Sequence, residues 1–118
     1  MNGGEMMDNE IMIHGGEIIL TNGINSIYEI MSGQALVYIV PTEENNKTGR
    51  RLFIYEANPG EIIPALNYTD FEGLNWRLAV AAVDKAVIIE RKTDESEEYK
   101  KEFAEKIKLK NYKMEGFE

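Results

Sequence analysis

The chain has no cysteine and a single histidine, His14, among its 118 residues. The first absence excludes disulfides and thiolate chemistry and fits a reducing compartment, so the expected setting is cytoplasmic. The second rules out a metal centre built from several imidazoles; no metal ligand is assigned and no cofactor is expected. Positive charge is also scarce, with 13 Lys and Arg against 21 Asp and Glu and a formal net charge of −8. Nucleic acids and anionic lipids are therefore disfavoured partners, since both are held by clustered cations. No run approaches the roughly 20 apolar residues that cross a bilayer, and no direct membrane insertion is expected. Met1 to Glu10 lacks a positive charge ahead of an apolar core, so no secretory signal is expected.

Catalytic constellations are missing as well. His14 precedes Gly15-Gly16 and reads as a strand-end residue. Ser26, Ser32 and Ser96 have no histidine base in pattern, and the carboxylates Glu43-Glu44 and Glu95 to Glu98 read as solvated faces. No catalytic residue is assigned, and an enzyme is not expected.

What is present is a series of strand-length segments between turn signals: Ile11–Ile13, Glu17–Leu20, Ser26–Met31, Ala35–Val40, Arg51–Glu56, Trp76–Val83 and Ala86–Arg91. Ala35, Val37 and Ile39 alternate with Leu36, Tyr38 and Val40, so both faces of that strand are apolar and it is expected between two layers. Tyr28, Tyr38 and Tyr55 recur at strand positions and are expected to fill sheet interfaces. Asn22-Gly23, Gly33 and Asp84-Lys85 mark turns, and Thr42 to Gly49 is a polar hairpin connection. Asn58-Pro59-Gly60 places a fixed φ before a residue tolerant of positive φ, and so turns sharply. The class is mainly β, an antiparallel β-roll or jelly roll with a C-terminal α-helix: a frayed segment at 1–9, the roll at 10–92 and the helix at 93–118.

In the last region the period changes from two to 3.6. Thr93 or Asp94 caps the helix, acidic Glu95, Glu97 and Glu98 precede Lys106, Lys108 and Lys110, and Tyr99, Phe103, Ile107, Met114 and Phe117 share one stripe. That stripe either docks on the roll or reaches a partner domain or second copy, a homodimer through the helix.

The series Ile30-Met31-Ser32-Gly33-Gln34-Ala35-Leu36-Val37-Tyr38, then Arg51-Leu52-Phe53-Ile54, then Pro59-Gly60-Glu61 resembles that of cyclic-nucleotide-binding-like domains, over most of residues 16–92. The resemblance implies an eight-stranded roll flanked by helices, with a phosphate-binding cassette between Pro59-Gly60-Glu61 and Trp76-Arg77-Leu78-Ala79. The cassette departs from the binding version: Ile62-Ile63-Pro64 intervene before Ala65-Leu66, Pro64 lacks an N–H, Val80 stands where a Ser or Thr follows the arginine, and Asp70 and Glu72 lie nearby. Lost nucleotide binding is the expectation. A narrower similarity, through Ser26 to Gly33, Gly49-Arg50-Arg51-Leu52 and Leu78-Ala79-Val80, is to the roll attached to ATPase/permease subunits of bacteriocin exporters that handle nitrile-hydratase-like leader peptides. It implies an excised, non-catalytic accessory domain whose partners are transporter core domains or a leader peptide. ATP hydrolysis would belong to the parent, since no phosphate loop is present here.

The ligand-binding candidates are Gly60, Glu61, Trp76 and Arg77, and the interaction candidates are Tyr68, Phe71, Ile107, Met114 and Phe117. Trp76 either packs in the core or stacks on a ligand at the roll's mouth. Arg77 either faces the cavity or pairs with Asp70, Glu72 or Glu61. Asn67 to Gly73 is a surface loop or a receiver for a basic peptide. The readings that remain are an interaction module of a peptide exporter and, alternatively, a cyclic-nucleotide or other small-anion sensor.

Overall fold

A computed structural model describes residues 8–22, 25–41, 51–69, 73 and 75–109. Among these residues seven strands form one antiparallel sheet: β1 (Asn9–His14), β2 (Ile18–Leu20), β3 (Ser26–Pro41), β4 (Leu52–Ala57), β5 (Ile62–Pro64), β6 (Asn67–Thr69) and β7 (Asn75–Lys92). The helix α1 (Ser96–Leu109) follows. The fold is mainly β, an antiparallel roll with a C-terminal helix.

Two long strands make the spine. β3 and β7 pair antiparallel from Ser26↔Lys92 to Pro41↔Trp76. Shorter strands line them: β6, β2 and β1 successively along β7, and β5 and β4 along β3. The segments expected as separate strands on either side of Gly33 are therefore one strand, and so are those on either side of Asp84-Lys85. The turn signals are real, but they mark bulges. The register slips at Ile30/Ser32 and again at Gly33/Ala35, where Gln34 opposes the longer stretch Val83 to Lys85. Gly33 has φ +82°, and a Cβ there would overlap the Lys85 carbonyl oxygen. Only glycine lets the two backbones approach this closely at the bend.

The bend folds the spine so that its halves face each other. One core cluster contains Val37, Ile39, Leu78 and Val80 from one half and Ile13, Tyr28, Ile30, Ile63 and Ile88 from the other. Burying each such side chain contributes about 1.5–3 kcal/mol. The connection from β5 to β6 ties the halves together, with Ala65 N–H donating to Ser26 C=O and Leu78 N–H to Leu66 C=O. β5 and β6 were not expected as strands. At three residues each they are too short to show a period, and β6 falls in the expected loop from Asn67 to Gly73. Trp76 is buried in the core cluster.

Tyr28 carries a polar network to the edge of that core. Its hydroxyl donates to Glu90 Oε2 at 3.1 Å and accepts from Asn22 N–H at 2.9 Å. Burial, reinforced by Glu90, pushes the phenol up to about 12. On the opposite face Arg91 bridges Glu29 at 2.6 Å and Asp8 at 3.6 Å. The Glu29 hydrogen bond is the main reason the guanidinium holds its proton more tightly.

Two consequences are measurable. Gly33→Ala combines a strained φ with a backbone overlap and is expected to destabilise the fold by about 2–5 kcal/mol in urea unfolding. The folded state also holds the Tyr28 proton more tightly than the unfolded chain, so this contribution is complete below about pH 10 and is lost as pH rises to about 12. Urea midpoints measured on either side of that window should fall with pH, and Tyr28→Phe should flatten the decline.

Candidate functional site

The residues around Pro59-Gly60-Glu61 form one wall of a cleft. Pro59 and Gly60 take the two central positions of a tight turn, with Gly60 at φ +96° and Glu61 N–H donating back to Asn58 C=O at 3.1 Å. The turn is stitched to β3: Gly60 N–H donates to Ile30 C=O at 2.8 Å, and Ile30 N–H donates to Glu61 C=O at 3.0 Å. This pairing continues into the β3–β5 register Glu29↔Ile62.

The other wall is α1. Its entry is fixed to the turn before β3, where Thr93 N–H donates to Asn25 C=O and the Ser96 hydroxyl donates to Asn25 Oδ1. Thr93 Oγ1 accepts Glu95 N–H, but helical hydrogen bonding begins at the Glu95 carbonyl, so the N-cap is Glu95 rather than the expected Thr93 or Asp94. One turn at a time, Phe103 and Ile107 then enter the core cluster, with Phe103 tilted against Tyr55 at 5.9 Å. Lys106, three residues beyond Phe103, reaches across to Glu61 Oε1 at 3.0 Å and lies 5.1 Å from the Tyr55 ring centroid. Between the walls lies a cleft of about 260 Å³ lined by Tyr55, Gly60, Glu61, Ile62, Glu102, Phe103 and Lys106. Burial, and then the Glu61 carboxylate, raise the Tyr55 phenol well above its ordinary value.

The ligand candidates separate into two places. Gly60 and Glu61 belong to this cleft, at the Ile30 end of the bend. Trp76 and Arg77 belong to the far end of the spine, beside β6, where Arg77 lies opposite Asn67 and Val40 and its Nε donates to Asn67 Oδ1 at 3.3 Å. An Arg77–Glu61 ion pair is not formed: Glu61 is held by Lys106, a residue of a later element that sequence spacing could not bring to it. Asp70 and Glu72, the other proposed partners, lie outside the described residues. Neither wall offers an anion cradle at Gly60, because the Gly60 and Glu61 amides both donate to backbone carbonyls. The cleft's charged residues are one lysine and two glutamates, a balance that opposes a phosphate.

Of the interaction candidates, Ile107 is buried against the roll rather than presented to a partner. Tyr68 is placed in β6 opposite Trp76 by its backbone pairing. Phe71, Met114 and Phe117 lie outside the described residues. Sequence reasoning missed Tyr55, Glu102 and Lys106 as lining residues. The available signal was Lys106 at i+3 from Phe103, a cation flanking the apolar stripe of a helix that must dock beside an acidic turn. Among the described residues no group of His, Asp and Glu is clustered to hold a metal ion, and no helix is long and apolar enough to cross a membrane.

No family model and no curated protein matches the chain. It is similar to several solved structures at low identity. FixK2 from Bradyrhizobium japonicum is 19% identical over 88% of this chain and 48% of its own, with a TM-score of 0.49. The EAL enzyme Bd1971 in its half-site-occupied form is 15% identical, covering 90% of this chain and 100% of that one, at a TM-score of 0.47. A cyclic nucleotide-binding-like protein from Brucella abortus bv. 1 str. 9-941 is 13% identical over 83% of this chain and 76% of that one, at 0.45. This chain thus spans about half the length of FixK2.

Proposed function

We propose that this chain is a non-catalytic regulatory domain that works through protein or peptide contacts, with α1 as its responsive element. One observation carries the reading. α1 closes over the Pro59-Gly60-Glu61 turn by an apolar anchor, Phe103 and Ile107, and a half-exposed ion pair, Lys106 to Glu61. A contact that competes for Glu61 or lifts Lys106 changes how firmly the helix end is held, and the chain beyond the helix inherits that change. The resemblance to the roll of leader-peptide exporters supplies the finer proposal: the signal is a leader peptide, and the recipient is the transporter core. A basic peptide segment is suited to Glu61 and Glu102 once Lys106 moves aside. The alternative, a cyclic-nucleotide or small-anion sensor, would have to use Arg77, whose guanidinium hydrogen-bonds a neutral amide.

Titration of the chain with a synthetic nitrile-hydratase-like leader peptide, followed by calorimetry, is expected to show saturable binding that weakens on Glu61→Gln. Cyclic AMP and cyclic GMP are expected to leave the melting temperature unchanged. A saturable shift with either nucleotide, reaching about 2.7 kcal/mol at 100 times its dissociation constant and abolished by Arg77→Ala, would replace this reading with the sensor. The anchoring of α1 has its own test in urea unfolding. Phe103→Ala should cost about 3–5 kcal/mol, whereas Lys106→Gln should cost less than about 1 kcal/mol, because a half-exposed ion pair is screened by water.

A further inference from the structure

Among the described residues the apolar stripe of α1 is spent on the roll as far as Ile107, and the exposed apolar side chains are on the sheet. Strand register places Ile18, Leu20 and Phe53 on one outer face of it. Leu20, Ala79, Tyr38 and Phe53 are successive neighbours across β2, β7, β3 and β4, and so form one row. Two residues along, about 7 Å away, Ile18, Ala81, Leu36 and Glu56 form the next. The residues that alternate with these, Ile19, Val80 and Val37, point into the core. At the margins of the rows Ile18 is 38%, Leu20 40% and Phe53 48% exposed, an unusual outer face for a chain of net charge −8.

The charges on this face are self-complementary. The Arg51 guanidinium lies 4.7 Å from the Tyr38 ring centroid, over the first row, and Tyr38 and Phe53 meet edge-on at 5.7 Å. Glu56 ends the second row and is exposed. A two-fold axis running across the strands, midway between the rows, lays a second copy on the first with its strands reversed. Each copy's first row then covers the other's second row. Ala79 is 0% and Ala81 7% exposed, so the contact rests on the larger side chains of the rows, Ile18, Leu20, Leu36, Tyr38 and Phe53. Arg51 faces Glu56 of the second copy, and symmetry repeats the pair. We infer that this chain forms a two-fold dimer through the outer face of β2, β7, β3 and β4, clamped by two Arg51–Glu56 pairs. An isologous contact requires one patch to carry both signs of charge, and this patch does.

Sedimentation equilibrium of the full chain, from micromolar to near-millimolar concentration, tests the inference, with circular dichroism to show that each variant is folded. The wild type should dimerise reversibly. Arg51→Glu and Glu56→Arg should each weaken the dimer about tenfold or more, since each places like charges together, and the double swap should restore it. A wild type that stays monomeric throughout, a dimer indifferent to the single swaps, or a double swap that fails to recover would each overturn the inference. Dimer loss leaves peptide binding at Glu61 intact, so the two results separate.

Discussion

The long antiparallel pairing of β3 with β7, bent at Gly33, is the constraint on which the rest of this structure depends. Both strands are about three times the length of an ordinary strand and would make a long twisted ribbon, open on both faces, if unbroken. The bulges at Met31 and at Val83 to Lys85 turn that ribbon back on itself. Its inner faces then become each other's solvent shield, and Val37, Leu78 and Val80 can be buried against Tyr28, Ile30 and Ile88. The glycine at the bend is a steric requirement, because the Lys85 carbonyl occupies the space of a side chain.

The same bend sets the chemistry of the candidate site. It brings the Pro59-Gly60-Glu61 turn against Ile30, where backbone pairing consumes the amides that an anion would otherwise use. It also leaves an opening above Tyr55 that α1 fills with Phe103 and Ile107. Aliphatic and aromatic burial provides most of the helix's attachment. The Lys106–Glu61 pair contributes position more than energy, since both groups remain in contact with water. That division gives a helix that is strongly held at its middle and weakly held at its charged flank.

The outer and inner faces of the first half of the roll differ in what they demand. The inner residues of β3 and β7 are fully enclosed, whereas the outer rows carry Ile18 and Leu20 on β2 and Phe53 on β4, large apolar side chains that water still reaches. Such a face is costly to a monomer and useful to an assembly. Arg51 beside the first row and Glu56 within the second give this face both signs of charge.

Period and punctuation in the sequence determined the class of this fold. The strand-length segment Ser26 to Met31, alternation in Ala35 to Val40, the Pro59-Gly60 turn and the change to helical period after Thr93 are local properties, legible because each depends on neighbours within a few residues. The same local signals could not say that Gly33 and Asp84-Lys85 bend continuous strands rather than end them, since a bulge and a turn call for the same residues and only the opposing strand distinguishes them. β5 and β6 were illegible because three residues have no period; their pairing exists only through β3 and β7. At the site, Gly60 and Glu61 were found from the turn they make, and Phe103 and Ile107 from their stripe. The partner of Glu61 was not, because Lys106 lies 45 residues away and meets it only when the helix is docked. Trp76 and Arg77, close to the turn in sequence, were drawn by the path of β6 away from the bend to the Pro41 end of the spine, and that separation was decided by tertiary structure alone.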